Sequence, residues 1–475
     1  MNKINIATKL LGLLLFFPVF VSFEMKAEEV NPSDIQKVAI NAFSLYSGIS
    51  KSELIITQII PVTKQDTAFF YIFNFDKGFI IVAADNVSVP IIGYGLENTI
   101  DMNDMPPAVS FLFDGYKEEI EVAKRMRPET SREILRLWEE LLDDERGGAS
   151  GESGQTGQTG VTLPNNKEEE GTPIYYKPGT WLMETKWGQS GGSASGSSIS
   201  YNDSCPAING TKTKVGCGGV ALAQILNFYT CHITPKNYLK YLPQGFTDTI
   251  KINFSTVGYN WSKMSPENAT KDNAKLLYHS AAAVKANFGT NNTSALLSNI
   301  ENAFSYFDFT YPIRRYKSNY PIEANWINLL KSEIDKRRPI IYFGKNNVIG
   351  SSGHYWVVDG YSRDNNNNVS HFHCNWGWSG SGNGFWTLSS LTNINGSDYS
   401  YDNVALTVIS ALKGPIPYND HTFPCGTIFA YSFRLYNCKV AQNVADAARL
   451  NMQCATEIFG TFEVPLGSVF EINIP

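Results

Sequence analysis

The sequence predicts an α+β chain, and three observations carry that prediction. Within residues 173–413, helix-like periodicity comes first, at 218–228, 274–287, 295–306 and 324–336. Strand-like runs follow at 339–344, 354–361, 370–376 and 384–388. Helices segregated from strands point to α+β instead of an alternating α/β order. Ahead of this region, residues 68–75 and 78–84 are aromatic and β-branched runs on either side of Asp76-Lys77, the pattern of a hairpin. Aromatic residues make up 13% of the chain, and its 475 residues include 38 Gly and 22 Pro, a mixture suited to strands and structured loops.

The elements follow in order. Lys3 and Lys9 precede an almost wholly apolar run, Leu10 to Phe23, and Ala27 comes just before the polar chain opens at Glu28. That is the pattern of a cleaved export signal over residues 1–27. The run falls short of the roughly 20 residues a membrane helix needs, and no later stretch is long and apolar enough to span. The mature chain is therefore expected outside the cytoplasm: secreted, periplasmic or at the cell surface. Residues 28–146 read as a small α+β unit. It has a strand at 54–61, the hairpin, and a helix at 106–124 with Val109, Leu112, Phe113, Tyr116, Ile120 and Ala123 near helical spacing. Thr130 and Glu133 have capping-box spacing ahead of Ile134, Leu137, Trp138, Leu141 and Leu142.

Residues 147–172, GGASGESGQTGQTGVTLPNNKEEEGT, have too few large apolar side chains to build a core. They read as an exposed linker, equally a plain tether or the joint of a proenzyme, and such segments are where proteases cut. Residues 173–413 form the largest unit, and residues 414–475 a small β-rich module without a catalytic pattern. With 39 basic and 45 acidic residues the net charge is −6, which argues against nucleic acid as the main partner. A 43% hydrophobic and 18% charged composition excludes a wholly disordered chain.

Chemistry concentrates in three places. In VGCGGVALAQIL, Cys217 follows a glycine turn and opens an apolar helix. Free amides and the helix dipole there stabilise a thiolate; taken alone, the same motif is a buried cysteine in a helix. In GHYWVVDGY, His354 starts an apolar strand. A cysteine nucleophile needs such a histidine to take its proton and later protonate the leaving amine. In HCNWGW, Asn375 is suited to accept from the His354 ring N–H and fix its orientation, and Trp376 to cover that bond from water. His371 and His373, two apart on one strand, lack an acidic neighbour at ligand spacing and make a poor metal site. Cys, then His, then Asn is the order of a papain-like cysteine protease, although the C-G-[SA]-C-[WY] signature is absent.

These residues resemble the streptopain family, secreted bacterial cysteine proteases of the papain-like fold. The run FFYIFNFDKGFIIVAADNVSVPIIGYG resembles that family's inhibitory propeptide. Trp187-Gly188-Gln189 resembles its W-x-Q element, GCGGVALAQIL its nucleophile helix, GHYWVVDGY its histidine strand, and CNWGW with GFWTL its Asn–Trp strand. The resemblance implies a helical half and an antiparallel β half, with residues 28–146 as inhibitory propeptide. It implies Cys217 as nucleophile, His354 as base and then acid, Asn375 as orienter, and Gln189 with the Cys217 amide as oxyanion donors. It also implies protein or peptide substrates with a hydrophobic residue two positions before the cut, and no metal or cofactor. Three departures stand out. Gly218-Gly219 replaces larger residues and is expected to loosen the first turn, residues 365–368 lengthen a loop, and the module after Gly414 lies outside the enzyme. The ending FGTFEVPLGSVFEINI resembles β modules appended to exported proteins of Bacteroides-like bacteria. Acyl transfer or amide hydrolysis by the same triad, and a catalytically silent binding protein, are the rival expectations. Of the seven cysteines, Cys217 is expected to stay reduced and any bridge to lie in the tail, where Cys425 and Cys438 can close a loop.

Overall fold

The computed structural model describes residues 28–126, 130–143, 181–192, 198–229, 235–344, 353–363, 368–392 and 403–410, together with strand backbones between 416 and 473. The expected export signal, the 147–172 linker, most of the 365–368 loop and Cys231, Cys425, Cys438 and Cys454 lie outside the described residues or among those of which only backbone is described.

A helix not anticipated from sequence, α1 (Pro32–Ser47), comes first. Asn31 caps it by accepting from the Ser33 amide, Pro32 fills its first turn, and Gly48 ends it at φ 71°. Four antiparallel strands follow: β1 (Ile56–Lys64), β2 (Thr67–Phe75), β3 (Gly78–Ala83) and β4 (Ile91–Gly95). The predicted hairpin closes where Phe75 pairs with Gly78. A side chain at Gly78 would strike the Gly95 carbonyl oxygen at 2.5 Å, so glycine is required there. Next come α2 (Pro107–Met126) and α3 (Arg132–Leu142). The cap of α3 is Ser131, one residue later than predicted: its hydroxyl accepts from the Ile134 amide, while the Thr130 hydroxyl donates to Asn86.

The larger unit begins with two small hairpins that flank the first helix of its core. These are β5 (Ala207–Ile208) with β6 (Thr211–Lys212), and β7 (Tyr238–Tyr241) with β8 (Ile250–Asn253), with α4 (Cys217–Tyr229) between them. Then come α5 (Lys271–Ala283), α6 (Leu297–Ala303), β9 (Ile313–Tyr316) and α7 (Glu323–Asp335). The chain finishes its core with β10 (Ile340–Gly344), β11 (His354–Arg363), β12 (Val369–Asn375), β13 (Gly384–Trp386) and β14 (Val404–Thr407). The helix expected over 295–306 is shorter, because a 3₁₀ turn at Phe304–Phe307 ends α6 early.

The sequence separates the two units at residue 146, yet one sheet runs through both. Its ten strands lie in the order β1-β2-β3-β4-β13-β12-β11-β10-β14-β9. The join is β4 to β13, with Tyr94 opposite Phe385 and Gly93 opposite Trp386. Both are edge strands of their own unit, and pairing satisfies amides and carbonyls that would otherwise need water. One apolar core spans the join, from Phe70, Phe113 and Tyr116 to Trp356, Trp376 and Trp386. A second lies under α4, α5 and α6, around Leu222, Leu226, Leu277 and Phe304. This is the α+β architecture the sequence predicts.

The C-terminal strands are β15 (Ile416–Asn419), β16 (Thr422–Phe423), β17 (Gly426–Ala430), β18 (Phe433–Val440), β19 (Ala448–Met452), β20 (Glu457–Glu463) and β21 (Phe470–Asn473). All their pairings are parallel. Gly426 pairs with Ala448 and Ala448 with Phe470, each 22 residues further along. From β16 onward, strands of one sheet alternate along the chain with strands of the other, which is the winding of a short β-solenoid.

Candidate active site

Cys217 is the first residue of α4, half-buried, with a free thiol. Gly216 delivers the chain to it at φ 85°, and a side chain there would meet the Thr293 carbonyl oxygen at 2.9 Å. The two following glycines do not loosen the turn. A Cβ on Gly218 would lie 2.9 Å from Ile300, and one on Gly219 would lie 3.0 Å from Ala281. Their small size lets α4 settle closely on α5 and α6. Burial pushes the Cys217 thiol above its ordinary value, and the amides of Tyr355, Gly218 and Cys217 itself pull it part of the way back.

The Tyr355 amide thus brings the start of β11 onto the sulfur. His354 is the first residue of that strand, opposite Gly344 of β10 and half-buried. Burial pushes its imidazole below the ordinary value. A thiolate–imidazolium couple needs a lowered thiol and a raised imidazole. In this state both shifts run the opposite way.

Asn375 ends β12, buried and opposite Val357. Its carboxamide is engaged at both ends: it donates to the Thr185 carbonyl at 2.5 Å and accepts from the Gly377 amide at 3.2 Å. Neither bond involves His354. Trp376 is buried against Trp356 and Trp386 and donates to the Gly382 carbonyl at 2.7 Å. Gln189 is half-buried, and its carbonyl accepts from the Val215 amide at 2.9 Å, two residues before Cys217.

The N-terminal unit covers this region. Phe111 of α2 lies 2.8 Å from where a Cβ would stand on Gly344, the residue paired with His354. Asp104 accepts from the Trp378 indole at 3.1 Å, Asn98 donates to the Asn383 carbonyl at 2.9 Å, and Glu97 pairs with Lys186 at 3.0 Å. Tyr116 donates to the Thr387 carbonyl at 2.7 Å. Glu119 inserts one buried oxygen among the amides of Leu391 and Thr392 and the hydroxyls of Ser390 and Thr392. Burial nevertheless holds its carboxyl above the ordinary value. A carboxylate on the apolar face of a helix, three residues after Tyr116, was the sequence signal for this contact.

The two remaining histidines of β12 face partners of other kinds. His371 meets the Ile91 carbonyl of β4 at 3.1 Å. His373 meets the Asp359 carboxylate at 2.7 Å, with the Trp181 indole stacked on its ring. Asp359 is fully buried within the apolar middle of β11, between Val358 and Tyr361. Sequence reasoning passed over it, although a lone carboxylate in such a run is itself a flag.

Two family models match the chain: peptidase C10 family over residues 196–386 and Spi protease inhibitor over residues 27–120. Streptopain of Streptococcus pyogenes is 23% identical over 76% of this chain and 87% of its own length. The thiol protease/hemagglutinin PrtT of Porphyromonas gingivalis is 23% identical over 98% of this chain; the chain spans half the length of that relative. Among solved structures, a fragment of Prevotella intermedia prointerpain A shares the fold, with a TM-score of 0.52 at 19% identity over 75% of this chain and 99% of that one. The chain therefore carries a segment similar to the peptidase C10 family, residues 196–386, and ahead of it a segment similar to the Spi protease inhibitor, residues 27–120.

Proposed function

We propose that this chain is an exported cysteine endopeptidase made as a latent precursor. Cys217 attacks the scissile carbonyl, and His354 takes the thiol proton and returns it to the leaving amine. The Cys217 amide and the Gln189 carboxamide bind the oxyanion. Asn375 orients His354 once the N-terminal unit departs, exchanging its present bond to Thr185. No metal or cofactor takes part in this scheme. The observation that carries the reading is the free thiol of Cys217 at the start of α4, beneath the Tyr355 amide that follows His354.

Residues 28–146 act as the intramolecular inhibitor in this reading, and cutting within 147–177 releases the enzyme of residues 173–413. Residues 1–27 direct export, and the 414–475 module is carried outside with the enzyme. The test is to trim the purified chain, treat it with an epoxide-type thiol inhibitor, and follow casein cleavage. Labelling of Cys217 with loss of cleavage supports the proposal. Absence of labelling marks a silent binding protein. Labelling with transfer of the acyl group to an added amine, and no casein cleavage, marks an acyl transferase.

A further inference from the structure

The segment from Trp181 to Gln189 runs from the outer sheet to the nucleophile, and its fastening is unusual. Trp181 bridges to Gly360, and the Leu182 amide donates to the Asp359 carbonyl at 2.9 Å. The Met183 amide donates to one Asp359 carboxylate oxygen at 2.8 Å, and His373 Nδ1 meets the other at 2.7 Å. Trp181 lies flat on the His373 ring at 4.7 Å, with Phe385 edge-on to both. Beyond that clamp, the Thr185 carbonyl accepts from Asn375, and the Thr185 hydroxyl donates to Gln224 of the nucleophile helix at 3.0 Å. The arm ends where the Gln189 carbonyl accepts from Val215.

Two features say the clamp is built for placement. The β11–β12 register steps from Val358 opposite Cys374 to Gly360 opposite His373, so Asp359 is an extra residue in a bulge. Bulges re-aim a side chain. Beside the clamp, Met183, Thr185, Lys186, His373 and Asn375 border an open cavity of about 110 Å³. Buried Trp181, Met183 and Trp187 anchor the arm by packing, and the bonds to Asp359 add direction to it. A buried carboxylate is costly unless both oxygens are satisfied, and an apolar pair would hold a core as well.

We propose that Asp359 and His373 are positioning residues for the hydrolytic reaction: together they hold the 181–189 arm, and with it Gln189, in register with Cys217. The inference rests on the proposed endopeptidase reading. Neither residue touches the reacting atoms. Loss of the clamp displaces the oxyanion donor and leaves Cys217 and His354 in place. A displacement of about 1 Å at such a distance costs on the order of 100-fold in rate.

The experiment compares wild type, Asp359→Asn, His373→Ala and His373→Asn, each made as the full chain and converted by limited proteolysis in the linker. Asparagine at 373 keeps a donor where Nδ1 stands. The readouts are kcat and KM on a peptide, the rate of Cys217 alkylation by iodoacetamide, and the thermal midpoint. Alkylation needs the thiolate but no oxyanion donor. Asp359→Asn and His373→Ala are expected to lose roughly 100-fold in kcat, with KM and alkylation within about twofold, and His373→Asn to regain most of the loss. Alkylation falling in step with kcat, or His373→Asn doing no better than His373→Ala, overturns positioning in favour of plain structural support. Unchanged kcat in His373→Ala overturns it outright. A wild type whose hydrolysis survives complete alkylation of Cys217 refutes the endopeptidase reading itself, a separate failure.

Discussion

The His371 ring nitrogen Nε2 and the Ile91 carbonyl oxygen meet at 3.1 Å across the seam between enzyme and inhibitor segment. The bond needs Nε2 to carry a proton, which leaves Nδ1 to accept from the Ser370 hydroxyl at 3.1 Å. Burial under β4, with the Tyr94 ring edge-on, lowers the imidazole from 6.5 to about 4. The docked state thus binds the proton less tightly than a solvated histidine would. Its stabilisation is complete above about 6.5 and is lost as pH falls toward 4.

Glu119 works in the opposite sense. Burial raises its carboxyl, so the docked state binds that proton more tightly, and docking weakens as pH rises above the ordinary carboxylate range. Both effects are readable as the rate at which a bulky epoxide inhibitor labels Cys217 in the intact chain. In wild type they oppose each other between about pH 4.5 and 6.5. His371→Asn removes the acid-side weakening, so its labelling rate falls below wild type at pH 5 and matches it at pH 8. Glu119→Gln keeps an acceptor and loses the charge, so its labelling becomes slower than wild type at pH 8. Profiles unchanged in both variants would show that neither group senses the seam.

The seam also depends on close backbone approach. A Cβ on Gly93 would lie 3.0 Å from the Phe385 carbonyl oxygen and 3.2 Å from the Trp386 ring. Gly93→Val lies in the inhibitor segment and leaves the enzyme segment intact. It should speed inhibitor labelling of the intact chain by tenfold or more, equivalent to about 1.4 kcal/mol of lost docking. Labelling as slow as in wild type would mean that β4–β13 pairing contributes nothing to latency.

Cys217→Ala should fold, since the site is small and half-buried, and should accumulate as the uncut precursor if release is autocatalytic. His354→Ala should lose at least about 100-fold in kcat, the usual worth of a general base. Intact-mass measurement of the secreted products and peptide turnover check both. A trimmed and active Cys217→Ala chain would contradict the nucleophile assignment.

In the intact chain Asn375→Ala breaks the bonds to Thr185 and Gly377, so the thermal midpoint of the intact chain should fall, while the trimmed chain loses the orienter. Calorimetry beside kinetics separates the two contributions. A kinetic loss with no change in midpoint would mean that the Thr185 bond is idle.

Long, strongly patterned elements were legible in the sequence. The 68–84 hairpin, α2, α4, α7 and β10 to β13 fall within a few residues of their predicted places, because periodicity and turn chemistry coincide there. What escaped was tertiary. β4 and β13 are short edges whose pairing depends on each other, and no local pattern announces a sheet shared across 290 residues of chain. Thr130 was read as a cap because its spacing to Glu133 fits, but Ser131 won by reaching the Ile134 amide. Asp359 and His373 lie 14 residues apart, and a bulge that periodicity cannot foresee brings them together.

With the N-terminal unit docked, burial raises the Cys217 thiol and lowers the His354 imidazole. The pH dependence of Cys217 alkylation by iodoacetamide, measured on the intact and the trimmed chain, tests it most directly. The intact chain is expected to react only as pH rises beyond the ordinary thiol value of about 8.5, while the trimmed chain stays reactive down to about pH 5. Superimposable profiles for the two forms would contradict it.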